Sequence, residues 1–405
     1  MRVLVIAQYF PPDMGGGATR AYNVAKGLEL NGCEVTVVTA FPHYPSGNIP
    51  KMYKWKPFML ENSEGFRIVR TFVPPMSSQG LAKRLMLFSS FLVSSLFAAP
   101  FVEKVDVVWA ANPNVLSIFP AMFYGLIKRK PVTLNVDDLW PEDLHNSGLV
   151  KENSFMFKAV RFLAKLAYAK ARLITPISAG YVRVLCGKYG VNREKVHVVR
   201  AGVDLDTFGV VGNWSNCDGK AFRVLYSGAF SVAYDFDQVL LAAKILENVD
   251  GVEFVLQGGG ELLDYVKCRS KELRLSNVRV VDRIVSRAEV ARLLSEANVL
   301  VLPLRDFGTP YLGISSKLYE YQAVGKPIIC CGEGQPAEYV KETESGVVVK
   351  PRDYKALARA VLYLREDKDV AWKLGVSGAR YVENNLSIEK TGSKMMTIFE
   401  KVLTD

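Results

Sequence analysis

The chain alternates short, unbroken apolar runs with longer stretches whose apolar residues recur every three or four positions. In the first half the runs are 2–7 (RVLVIA), 34–39 (EVTVVT), 66–72 (FRIVRTF), 105–111, 132–136, 172–178 and 196–201. In the second half they are 222–227, 253–257, 278–281, 299–303 (VLVLP), 327–331 and 346–349. Runs of this kind read as strands buried on both faces of a parallel sheet. The periodic stretches between them, such as 18–30 and 155–171, read as helices. This alternation over 405 residues predicts an α/β chain with two domains, each a parallel sheet wrapped by helices. The stretch Gly202–Gly219 is rich in Gly, Asn and Asp and reads as the linker. The expected division is 1–202, a linker at 203–219, a second domain at 220–385, and a final helix in 386–405 that returns to the first domain. Residues 41–65 read as loop.

Charged and hydroxyl groups gather where strands end. Gly313–Gly332 (GISSKLYEYQAVGKPIICCG) follows the run VLVLP and reads as a loop, a short helix from Lys317 and a buried strand. Ser315 and Ser316 suit the N-cap. A lysine in a first turn opposes the helix dipole unless an anion sits there. Backbone N–H groups, two hydroxyls and an ammonium at one helix mouth make a phosphate site; the alternative is a capped amphipathic helix with a chance lysine. Glu320 lies one turn on, on the same face, and its carboxylate suits two vicinal hydroxyls such as those of a ribose. Gly228 ends the first strand of the second half and Gly258-Gly259-Gly260 the second, where they are expected to keep a cleft open. Arg283 follows the third strand.

In the first half, Gly15-Gly16-Gly17 lead into a helix with Arg20 in its first turn. The spacing is not GxGxxG, so a dinucleotide fingerprint is absent. Asp137, Asp138, Glu142 and Asp143 follow the strand 132–136 at its carboxyl end, where open α/β sheets bind ligands. Hydrogen bonding to sugar hydroxyls, a carboxylate base, metal binding and capping of the next helix are the readings open there. Two DxD patterns, Asp204/Asp206 and Asp235/Asp237, are set aside as chance.

Composition and charge narrow the class. Hydrophobic residues make up 49% of the chain, enough for large cores. No stretch reaches the roughly 18 to 20 apolar residues of a spanning helix. The first apolar run is too short for a signal peptide, so a cytoplasmic protein is expected. Cys33, Cys186, Cys217, Cys268, Cys330 and Cys331 form no CxxC pair and read as reduced residues. His43, His145 and His197 give no metal-ligand spacing. The net charge is +10, and all of the excess is in one half. Residues 1–200 hold 25 Lys and Arg against 13 Asp and Glu; the rest hold 26 against 28. An anionic partner of the first half is expected. Lys83 and Arg84 precede an uncharged run, 85–100. It reads either as a core helix or as a helix lying on a bilayer, with Leu87 and Phe91 on the membrane face.

These residues together resemble glycosyltransferase family 4, of the GT-B fold, in a surface-polysaccharide branch akin to amino-fucosyl and N-acetylhexosaminyl transferases. The resemblance is carried by Gln8-Tyr9-Phe10-Pro11-Pro12 with Gly15–Gly17 and Arg20, by Asp138-Leu139-Trp140-Pro141-Glu142, by Asn192–Asp206 and by Ser315–Pro327. It implies two Rossmann-like domains whose parallel sheets face each other across a cleft. It implies a retaining, metal-independent transfer from a nucleotide-diphosphate sugar, most often a UDP-sugar, with no cofactor. Ser315, Ser316 and Lys317 would hold the diphosphate, Glu320 the ribose, and Arg283 with its neighbouring backbone the base. Gly15, Gly16 and Gly17 would approach the diphosphate from the first domain, beside Arg20. Gly228, Gly258 and Gly259 would line the donor site, Glu142 would bind substrate, and Asp137, Asp138 and Lys317 would be the catalytic groups. The acceptor would be a lipid-linked or other glycan at the inner face of the membrane, touched peripherally, with no nucleic acid. Three positions depart from the pattern. Leu312 replaces the first of the family's paired glutamates, Asp137 replaces a histidine, and SGAFSVAYDFD lacks the usual arginine and lysine. A nucleotide-sugar epimerase of the same fold and a non-catalytic nucleotide- or membrane-binding scaffold stay open as alternatives.

Overall fold

The computed structural model describes residues 1–77, 80–111, 115–146, 148, 150–209 and 221–404. It divides into two compact units, Met1–Gly202 with Ile388–Asp405, and Val203–Ser387. The first unit runs β1 (Arg2–Ile6), α1 (Gly16–Leu30), β2 (Glu34–Ala40), β3 (Phe58–Ser63), β4 (Phe66–Thr71), α2 (Leu81–Leu96), β5 (Val107–Ala110) and α3 (Ile118–Lys128). It continues through β6 (Val132–Val136), α4 (Glu142–Asn146), α5 (Phe155–Lys170), β7 (Leu173–Pro176) and α6 (Ala179–Gly187). Among the described residues its sheet has seven strands in the order β3-β4-β2-β1-β5-β6-β7, parallel except for the β3–β4 pair.

The second unit runs α7 (Leu205–Phe208), β8 (Phe222–Ser227), α8 (Asp237–Ile245), β9 (Val252–Gly258), α9 (Leu263–Glu272), β10 (Val278–Asp282) and α10 (Arg287–Ser295). Then come β11 (Val299–Pro303), α11 (Lys317–Ala323), β12 (Ile328–Cys331), α12 (Gln335–Glu342), β13 (Gly346–Val349), α13 (Tyr354–Glu366) and α14 (Lys368–Asn385). Its six strands are all parallel, in the order β10-β9-β8-β11-β12-β13. The last helix, α15 (Ile388–Thr404), belongs to the first unit.

Alternation along the strands sorts the first core into two faces. Val3, Val5 and Ala7 pack with Ala21, Val24 and Leu28 of α1 and with Met395 and Phe399 of α15. α1 and α15 meet through two glycines: a Cβ on Gly392 would lie 2.0 Å from the Gly27 carbonyl oxygen, so both positions exclude a side chain. Right-handed crossovers send α2, α3 and α5 to the opposite face. There α2 packs on α3, and all three touch the short turn at 115–117.

Several expectations need correction. Residues 58–63 are not loop but an antiparallel edge strand hydrogen-bonded to β4. The run 196–201 forms no strand beyond an isolated bridge, Ile174 to Val196. The expected linker is part of the second unit at its start: Val203 pairs with Ser387, and Asp204 caps α7 by accepting from the N–H groups of Asp206 and Thr207. That gives the first DxD a capping role. The rest of the expected linker, with Cys217, lies outside the described residues. α2 buries Leu87, Phe88 and Phe91. The side read as a membrane face is therefore core.

Candidate active site

In the second unit the turns after β8 and β9 lie backbone against backbone. Gly228 N–H donates to the Gln257 carbonyl (2.9 Å), and Phe230 N–H to that of Gly259 (2.9 Å). Gly258 has φ +143°, and a Cβ there would meet the Gly228 carbonyl oxygen at 1.8 Å. The expectation that these glycines hold open a cleft is corrected at Gly258, whose missing side chain is replaced by Gly228 itself. Gly259 backs onto the Ile284 side chain, 3.5 Å from where a Cβ would stand. Gly228, φ +142°, leaves room for Lys317: its ammonium would be 2.1 Å from a Cβ at 228. Gln257 ties three strand ends together, accepting from the Ser227 hydroxyl (2.6 Å) and donating to the Arg283 carbonyl.

Lys317 opens α11 and lies half-buried at this strand edge. Its Nζ is 5.9 Å from the ring centroids of both Tyr226 and Tyr234. No carboxylate among the described residues comes within ion-pairing distance of it. Ser316 occupies the N-cap position but has helical backbone angles, and its hydroxyl makes no cap hydrogen bond. The expectation of Ser316 as a side-chain cap is thus corrected. Ser315 stands beside it and accepts the Leu318 N–H through its carbonyl (3.1 Å). Glu320 pairs with Arg287 at 3.1 Å, and the Arg287 guanidinium lies over the Phe208 ring at 4.8 Å. Arg283 is exposed and pairs with Glu289 at 3.3 Å.

In the first unit the turn after β1 leads to Gly15, φ +115°, which precedes α1; Gly16 and Gly17 are already in its first turn. The Tyr44 ring covers Gly15, and Asp13 fixes that cover by accepting from the N–H groups of His43 (2.7 Å) and Tyr44 (2.8 Å). Burial pushes the Asp13 carboxyl up, against the opposing pull of His43. Arg20, expected as a ligand-facing cation, is 3% exposed. It donates to Asn135 Oδ1 (3.0 Å) and the Val199 carbonyl (2.6 Å), and stands 3.5 Å from Asp137. Its charge is turned inward by these contacts, with Asn135 of β6, Asp137 just beyond that strand and the backbone at Val199.

The carboxylates after β6 divide their work. Asp137 is raised by burial and pulled back by Arg20 and Asn135. Asp138 is pushed up to about 8 by the surrounding protein, then by the neighbouring Asp143 and Asp137 carboxylates. The Asp138 side chain itself is exposed to solvent. Asp143 accepts from Leu139 N–H (2.6 Å) and Tyr181 O–H (2.8 Å), and burial raises it to about 6. Glu142, expected at the substrate, is held by Lys188 (2.6 Å) and by the Tyr189 hydroxyl (2.9 Å). Asp137 and Asp138 are thus the pair at the strand end, and Glu142 and Asp143 brace the loop that carries them. No cluster of three or more His, Cys, Asp and Glu set to hold a metal ion occurs among the described residues.

The residues sequence reasoning missed are Gln257, Arg287, Tyr181 and Lys188. Two carried a signal. Gln257 is the polar end of an apolar strand, and Arg287 follows the N-cap Ser286 as a cation at a helix start.

Known proteins share this architecture. Residues 14–207 match the family described as Glycosyltransferase Family 4, and residues 215–380 the one described as Glycosyl transferases group 1. The probable glycosyltransferase WbjE of Pseudomonas aeruginosa is 26% identical over 74% of this chain and 75% of its own. An uncharacterized glycosyltransferase of Methanocaldococcus jannaschii is 22% identical over 89% and 88%. Sucrose-phosphate synthase from Thermosynechococcus elongatus superposes with a TM-score of 0.77 at 19% identity, over 100% of this chain and 99% of that one. HepE of Anabaena, solved in complex with UDP, gives a TM-score of 0.70 at 14% identity over 99% and 100%.

Proposed function

We propose that this chain, which belongs to the family 4 glycosyltransferases of GT-B fold, moves a sugar from a nucleotide-diphosphate sugar, of UDP type, to a lipid-linked or glycan acceptor in surface-glycan synthesis. The observation that carries this reading is Lys317. A half-buried ammonium with no carboxylate partner among the described residues, lying over a glycine at the carboxyl edge of a parallel sheet, calls for an anion. A diphosphate beside the Ser315 and Ser316 hydroxyls answers that need. Glu320, aimed by its ion pair with Arg287, is suited to the ribose hydroxyls. The UDP in the Anabaena neighbour supports the same class of donor.

In this reading Lys317 and backbone donors, rather than a metal ion, take the charge that develops on the leaving diphosphate. Donors fixed in advance around that charge are the main source of rate. The leaving oxygen takes the acceptor proton, and the sugar keeps its anomeric configuration. Asp137 and Asp138 serve the acceptor side. A carboxyl raised toward neutrality can both donate to and accept from a hydroxyl. The transfer takes place at the inner face of the membrane, where a lipid-linked acceptor presents its sugar.

The test is a screen of nucleotide sugars incubated with the protein, membrane extract and a chelator. The expected result is acceptor-dependent release of nucleoside diphosphate with label entering the lipid fraction, unaffected by chelator. Conversion of a UDP-sugar to its isomer without any acceptor would replace this reading with that of an epimerase.

A further inference from the structure

The layer formed by α2, α3 and α5 contains no acidic residue in any of its three helices, 81–96, 118–128 and 155–170. It nevertheless leaves large apolar side chains bare. Phe155 (87%), Leu126 (77%), Phe97 (73%) and Phe162 (68%) are, after Trp55, the most exposed large apolar side chains among the described residues. Phe97 ends α2, Leu126 lies in the last turn of α3, and the two phenylalanines stand on α5. Exposed apolar groups on the helices that cover one face of a sheet mark an interaction surface.

α5 shows most clearly what that surface fits. One side of the helix buries Phe157, Val160, Ala164 and Tyr168 in the domain. On the outer side Phe155 and Phe162 are seven residues apart, two helical turns, so they share a stripe. Lys158 and Lys165 follow the same spacing beside them, and Arg161 lies between. All three cations are exposed. Lys83, exposed on α2, extends the cationic rim.

We propose that this helical layer docks on an anionic bilayer surface, with the phenylalanines at the level of the acyl chains and the lysines at the headgroup phosphates. The chemistry selects this occupant. A nucleic acid or acidic glycan would pair with the cations but offers no hydrocarbon for four bare apolar side chains. An apolar protein partner would not require three helices without one carboxylate. No helix among the described residues is long and apolar enough to cross a membrane, so contact is with the surface only. The inference rests on the proposed function only in taking this membrane to carry the acceptor.

The test is co-sedimentation of the full chain with vesicles of phosphatidylcholine alone and of phosphatidylcholine with phosphatidylglycerol, at low and high salt. Two variants accompany the wild type, Phe155→Ser with Phe162→Ser, and Lys158→Glu with Lys165→Glu. The wild type should bind the anionic vesicles and release with salt. The phenylalanine pair should weaken binding roughly tenfold or more, and the lysine pair roughly fivefold per charge. Thermal melting and UDP binding should be unchanged, because these side chains are exposed and belong to the first unit while Lys317 belongs to the second. Failure of the wild type to sediment with anionic vesicles overturns the proposal. So does a phenylalanine variant that binds as well as wild type, the behaviour of a simple polyanion site. Vesicle binding by a protein that fails to bind UDP keeps the surface and removes the donor reading instead.

Discussion

Arg287 opens α10 and Lys317 opens α11 in the second unit. Each opposes its helix dipole, at a cost of a few tenths to about 1 kcal/mol. Arg287 is compensated by Glu320 at 3.1 Å; no carboxylate among the described residues compensates Lys317. Lys317 was legible in the sequence because its hydroxyl neighbours and Glu320 are local. Arg287 was not, because its partner lies on another helix. Arg20 was legible as a charge but not in its direction, since only packing against β6 shows that it turns inward. If Arg287 aims Glu320 at the ribose, Arg287→Ala should lower the preference for UDP over 2′-deoxy-UDP several-fold, within the roughly tenfold that one charged hydrogen bond supports. Binding titrations of both nucleotides would show it. An unchanged ratio with both affinities intact would make the ion pair a surface ornament.

At the scale of elements the unbroken apolar runs were readable, because a strand covered by helices on both faces needs no polar alternation. The edge strand β3 was not. Its sequence, FMLENS, mixes exposed and half-buried residues and becomes a strand only through β4. The converse holds at 196–201, where an apolar run meets β7 through one bridge and two backbone hydrogen bonds and forms no strand of its own. α2 shows what pattern alone leaves open. An uncharged helix can serve a core or a bilayer, and here it serves the core through Leu87 and Phe91. Leu87→Ala should therefore cost about 2 to 5 kcal/mol of unfolding free energy. Met86→Ala, one residue away but exposed, should stay within about 0.5 kcal/mol. Denaturant melts of the two variants decide it, and equal small effects would return the Leu87 face to solvent or lipid.

At the scale of the whole molecule the chain is two parallel-sheet units, with the last helix assigned to the first. That a helix ends the chain at α15 was foreseeable from its apolar periodicity. Its docking through Gly27 and Gly392 was not, since neither glycine lies at a turn. The charge asymmetry also belongs to this scale. Part of the excess of cations in residues 1–200 lies in the acid-free layer of α2, α3 and α5, while the second unit, near neutral, keeps at its strand edge the Lys317 ammonium, which has no carboxylate partner among the described residues. The central claim is that this ammonium holds a diphosphate, and calorimetric titration tests it most directly. Wild type and Lys317→Ala would be titrated with UDP, GDP and uridine, with and without chelator. The account predicts UDP binding that ignores chelator and weakens roughly ten- to hundredfold in the variant, with uridine little changed. Equal losses for UDP and uridine, or no nucleotide binding by the wild type, would contradict it.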